Sequence, residues 1–256
     1  MELNRHERRS VTLGHIAPFA LWIAIMLLLQ ALERFGCCPR WLYPWAYAAK
    51  SVACAALFLC LKPWRVYPRF ESRHLGLSLL AGLAVAAVWI LPETPWFANR
   101  CPRLFEFYYR WLVMMPGGYP DYYQPSLFPA LPAGHLSLTY SVDEAGWGMV
   151  AMKLFGSAVT IAVAEEFFFR GFLYRWLRQG EFWKVPLARF DAQTFWMVVA
   201  VFGLEHDRWL AGMLAGAVYG WLAVRTGNVW AGALAHGVTN LVLGIYVVAS
   251  RQYGFW

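Results

Sequence analysis

The sequence predicts an all-α, polytopic transmembrane helix bundle of about seven to eight spans. Three observations carry this. The 256-residue chain is 60% hydrophobic and 14% charged, with a mean hydropathy of +0.42. Soluble domains run near 45–50% apolar and about 25% charged. Apolar stretches of spanning length recur along the whole chain. The 15 Trp and 13 Tyr suit the aromatic belts that form where helices meet the membrane–water interface.

The spans fall near 15–33, 43–61, 75–92, 146–174, 192–207, 209–224 and 229–248, against a requirement of ~20 predominantly apolar residues. The first follows Arg5, Arg8 and Arg9, as the apolar part of a signal peptide would. Glu33-Arg34-Phe35 follows it instead of a small-residue cleavage site, so an uncleaved span is expected. The second contains Lys50, which must snorkel or face protein. Cys54 and Cys60 in the same span read as packing residues, because the five cysteines form no CxxC pair with metal spacing. A disulfide from Cys101 to Cys37 or Cys38 is left open.

Region 93–145 is rich in Pro, Tyr and Trp and carries Asp121, Asp143 and Glu144, with Pro116-Gly-Gly-Tyr-Pro120 as a turn signal. It reads as a non-membrane interfacial segment, either a cap over the bundle or an element that touches substrate. The fifth and sixth spans are short. Gly212, Gly216 and Gly220 recur every four residues, a stripe that lets helices approach closely. Gly232, His236, Asn240 and Gly244 make a second such stripe, and Arg225-Thr-Gly-Asn228 reads as a tight turn with Gly227 as a left-handed cap. Residues 1–256 are read as one membrane domain.

The net charge of +7 is a matter of topology. Basic residues gather at the N-tail, at Lys62, Arg65, Arg69 and Arg73, and at Arg175, Arg178, Lys184 and Arg189, while the intervening connections carry fewer. The positive-inside rule puts the N-terminus in the cytoplasm and region 93–145 outside. Anionic lipid is then the expected surface partner. No basic run with interleaved aromatics points to nucleic acid. An integral protein of a bacterial inner (plasma) membrane is expected.

Within this apolar chain, Glu165 and Glu166 are out of place. A charge near the bilayer centre costs at least ~3 kcal/mol, and such residues face a bundle interior or a wet cavity. Neighbours on a helix point about 100° apart, so only one of the two faces any given site. Glu166 and Arg170, four apart, can pair, which leaves Glu165 less compensated and a candidate general base. The alternative is a structural ion-pair network with Arg170 or Arg175. His206 and His236 lie alone on two other apolar segments, and His236 shares a face with Asn240. Those two could donate to one ligand oxygen, as oxyanion donors do. Glu165, His206 and His236 are also suitable zinc ligands by type, though no HExxH is present.

As a set, Glu165-Glu-x-x-x-Arg170, Phe202-x-x-x-His206 and His236-x-x-x-Asn240 resemble the three motifs of the CPBP family. These are the CAAX prenyl protease and bacteriocin-processing (Abi) intramembrane proteases. The run from Arg225 to Asn240 adds to the likeness, which covers about Gly156 to Val247. The resemblance implies a catalytic core over 150–248 and peptide hydrolysis inside the bilayer. Glu165 and His206 would activate a water, and His236 and Asn240 would stabilise the oxyanion. Glu166, Arg170 and Phe202 would support them. No cofactor is then needed, with zinc as the lesser alternative. The substrate would be a membrane protein or a lipidated or membrane-anchored peptide, cut near its C-terminus. Some family members accompany sorting systems for membrane-anchored C-terminal tails. Two other classes stay open: a non-catalytic membrane immunity or scaffold component, and a carboxylate-using transporter, for which internal repeats would be the sign.

Overall fold

The computed structural model describes residues 3–37, 39–113 and 137–256. Among these, all regular structure is helical: α1 (Arg5–Arg34), α2 (Leu42–Leu61), α3 (Leu75–Ile90), short α4 (Pro95–Arg100) and α5 (Pro102–Trp111), long α6 (Val142–Trp176), α7 (Ala192–Leu204), α8 (Trp209–Thr226) and α9 (Val229–Ser250). Pro116–Pro120, Asp121 and Cys38 lie outside the described residues.

Each long helix buries one stripe and leaves the rest apolar and uncovered. In α1 the buried side is Val11, Gly14, His15, Pro18, Phe19 and Trp22, the three- and four-residue spacing of one helical face. The helix opens with a capping box between Asn4 and Glu7. In α2 the buried stripe is Tyr43, Tyr47, Lys50, Cys54 and Phe58, and it packs against α1 and α6. The opposite faces carry exposed Leu27, Leu28, Leu80, Leu83 and Ile245. Five helical stretches (those of α1, α2, α3, α6 and α9) are long and apolar enough to cross a membrane, and less than half of each apolar window is buried by protein. Water is a poor neighbour for such surface, and lipid is a good one. The chain is an integral membrane protein.

The span pattern departs from expectation at α7. The expected fifth span, 192–207, ends as a helix at Leu204. Thirteen residues rise ~20 Å, short of a ~30 Å hydrocarbon core. The chain reverses through Glu205–Arg208 and returns as α8, packed along α7. The glycine stripe makes this close: a Cβ at Gly212, Gly216 or Gly220 would meet Gly203, Phe202 or Phe195. At the far end of α8, Gly227 takes φ +64°, and Asn228 caps α9 by accepting from the Trp230 amide while donating to the Pro68 and Arg69 carbonyls. So α9 starts at a fixed point and runs between α3, α6 and α8.

Helix α6 is not uniform. Its hydrogen bonding widens to π-type turns over Gly156–Ile161 and again over Phe167–Leu173. Such turns occur often at functional sites. Glu165 and Glu166 lie on the short α-helical piece between them.

One smaller expectation also changes: Cys60 is exposed, whereas Cys54 is fully buried. Of the pairings left open, Cys37 and Cys101 are not bonded to each other. Lys50 faces protein, with its nitrogen 4.0 Å from the centroid of the Trp22 ring.

Candidate active site

Glu166 points into the bundle with no exposure and forms an ion pair of 2.8 Å with Arg170, one turn on. The same guanidinium donates 2.8 Å to the Gly216 carbonyl of α8 and lies 4.4 Å over the Phe202 ring of α7. Arg170 thus ties three helices to one carboxylate. Arg175 is no part of this network: it donates to the Val185 carbonyl and the Tyr67 hydroxyl. Gly232 of α9 gives Glu166 its room, since a Cβ there would lie 2.9 Å from Glu166 Oε2.

Glu165 turns the other way, toward a cavity of about 580 Å³. Its Oε2 has no hydrogen-bond partner among the described residues. The imidazole of His236 lies between the two glutamates: Nδ1 is 3.2 Å from Glu166 Oε1 and Nε2 is 3.8 Å from Glu165 Oε2. A carboxylate on Nδ1 fixes the proton there. A donor at Nε2 then exists only in the imidazolium. Tyr219 stacks flat on this ring, with centroids 4.8 Å apart, and its hydroxyl donates 2.7 Å to Thr239.

His206 does not lie on a helix, contrary to expectation. It sits just past the end of α7, in the reversal before α8. The reversal places it at the level of the other site residues. Its Nδ1 lies 2.8 Å from the Phe202 carbonyl, an acceptor, so Nδ1 carries the proton and Nε2 is left as a lone-pair base. Phe202 itself is fully buried, with its ring against those of His206, His236 and Phe169. Asn240 borders the same cavity. One of its amide hydrogens is spent on the Ser157 carbonyl, 2.9 Å away in the first π-type turn. The other hydrogen is free to meet a ligand oxygen.

The fold therefore brings Glu165, His206, His236 and Asn240 to one cavity, with Glu166, Arg170 and Phe202 behind them. Sequence reasoning missed Tyr219 and Thr239, which lie next to the two small-residue stripes but belong to neither. It also missed a buried clamp. Arg208 forms a two-pronged ion pair with Glu93, which accepts in addition from the Tyr108 hydroxyl 3.0 Å away. This clamp anchors the reversal that carries His206 to the far end of α3. A lone acid at 93 and a lone base at 208 gave no signal of pairing across 115 positions.

As for a metal, no three His, Cys, Asp or Glu side chains are placed to hold an ion among the described residues. Glu165, His206 and His236 share a cavity without converging as ligands, and His206 Nδ1 and His236 Nδ1 are committed to other acceptors.

Residues 147–242 match the Rce1-like family, described as type II CAAX prenyl endopeptidase Rce1-like. No curated protein and no solved structure matches the chain significantly. The family match covers all three motifs. It supports the CPBP assignment and, at family level, a CAAX-type intramembrane protease.

Proposed function

We propose that this chain, with its CAAX-protease-type segment at 147–242, hydrolyses a peptide bond near the C-terminus of a membrane-anchored protein or lipidated peptide. The single observation that carries the reading is Glu165. It is a buried carboxylate with an unpartnered oxygen, bordering one cavity with two imidazoles and an amide. A structural carboxylate in a bilayer would be neutralised, as Glu166 is by Arg170.

In this reading Glu165 takes one proton from a water as it attacks the carbonyl carbon, while His206 Nε2 accepts a hydrogen bond from the water's other O–H and orients it. The developing oxyanion takes the free Asn240 N–H and the Nε2–H of protonated His236. The proton then passes to the leaving amine. Glu166 and Arg170 orient His236, and Phe202 excludes water behind it. No metal step is required. The arginine distribution supports a cytoplasmic N-terminus, and the same reading places the chain in the inner (plasma) membrane of a bacterium.

The test compares Glu165→Gln with Glu166→Gln in purified, lipid-reconstituted protein. Glu165→Gln should abolish cleavage with its unfolding midpoint unchanged, and Glu166→Gln should lower both. Near wild-type turnover in Glu165→Gln would remove the proposed base.

A further inference from the structure

Two lysines line the catalytic cavity, and neither forms an ion pair with a described residue. Lys50 on α2 is 6% exposed, and its nitrogen lies 4.0 Å from the Trp22 ring centroid and 5.0 Å from that of Tyr47. Lys153 on α6 lies over the same Tyr47 ring at 4.2 Å and over Tyr140 at 4.4 Å. Neither ammonium forms an ion pair or a side-chain hydrogen bond with a described residue. Four acids border the cavity (Glu33, Glu165, Glu205 and Asp207), and none is paired with either lysine. An aromatic cage attracts a cation through its ring faces but leaves the three N–H donors of each ammonium unsatisfied. Two like charges would not be gathered around one ring for packing alone. The arrangement fits an incoming anion.

We propose that Lys50 and Lys153 form a carboxylate subsite of this cavity, which holds an acidic group of the substrate beyond the scissile bond. This rests on the hydrolytic reading above. The group is either the substrate's C-terminal carboxylate or an acidic side chain. Lys153 and Glu165 are twelve residues apart on α6, an axial rise of ~18 Å. An extended chain covers that in about five residues. The subsite would then set the cut a fixed, short distance from the bound carboxylate.

The experiment uses full-length Glu165→Gln protein in nanodiscs, so that binding is read without cleavage. The probes are three N-acylated, fluorescent apolar decapeptides: a free acid, a C-terminal amide, and an amide with one glutamate five residues from the centre. Empty nanodiscs are subtracted. An acidic probe should bind at least about tenfold tighter than the neutral amide, the low end for a hydrogen bond to a charged group. Whichever acidic probe binds tighter identifies the source of the carboxylate. Lys50→Met and Lys153→Met should each reduce that preference, and Lys→Arg at the same positions should restore it. Equal affinity for all three probes overturns the proposal without any lysine variant having to fold. A preference that survives both Lys→Met changes also overturns it. Cleavage of the same probes by wild-type protein is scored separately. Its absence would count against the hydrolytic reading and leave the carboxylate subsite standing.

Discussion

Replacing Arg170 with Met tests whether the site is held by one buried ion pair. Arg170 is 2% exposed, and Glu166, its partner at 2.8 Å, is fully buried. Removing one partner of such a pair leaves the other charge without compensation and costs about 3–5 kcal/mol. The lost bond to the Gly216 carbonyl adds little, since interhelical hydrogen bonds in membranes average ~0.6 kcal/mol. Glu166→Gln should cost a similar amount, because it strands the guanidinium. The double variant Glu166→Gln/Arg170→Met strands no charge. Its cost should fall below the sum of the two single costs by at least ~1 kcal/mol, within the range for residues in one network. The assay is reversible unfolding in mixed micelles, followed by the fluorescence of the 15 tryptophans. Additive costs, or an Arg170→Met variant within ~0.5 kcal/mol of wild type, would refute this account of the scaffold.

Other perturbations separate chemistry from packing. Asn240→Ala should lower kcat by about 10²–10³ with KM little changed, as loss of an oxyanion donor does; normal kcat with a lowered unfolding midpoint would leave only its bond to Ser157. Cleavage should survive exhaustive chelation, and activity that disappears with a stoichiometric metal and returns with it would reverse that expectation. Asp191 accepts from the Thr194 amide and hydroxyl, which holds its carboxyl below the ordinary 3.8. Its contribution to α7 is therefore complete above about pH 4 and is lost as pH falls through the lowered folded value. Asp191→Asn keeps a capping acceptor and removes the titration, so the stability gap between it and wild type should close on acidification below pH 4; a gap independent of pH would contradict this.

The membrane class was legible because composition averages over many residues. The motif residues were legible because polarity is rare in this chain: Glu165, Glu166, His236 and Asn240 stand out against Ala, Val, Phe and Leu. The turn at Gly227-Asn228 followed from local backbone chemistry. What could not be read was long-range. The hydrophobic run through Phe202 ends at Leu204, but Glu205–Arg208 hold no Gly or Pro to mark a stop, so the expected helix runs on to His206, although the chain turns at Glu205. The reversal is held by Glu93 and Arg208, and no local pattern joins residues that far apart. The π-type turns around Glu165 also escaped, since a wider helical turn leaves no mark in apolar periodicity. Tyr219 carries no sign of its place in the sequence, because its stacking on His236 depends on α8 and α9 lying side by side.

The central claim is that Glu165 makes this chain a hydrolase of membrane-anchored substrates. The most direct measurement compares new C-termini in membranes from cells expressing either wild-type protein or Glu165→Gln at equal levels, with growth in ¹⁸O-water. The account predicts a set of membrane proteins truncated near their C-termini only with wild-type protein, each with ¹⁸O in its new carboxylate. Identical C-termini in the two membranes, with both proteins folded, would contradict it.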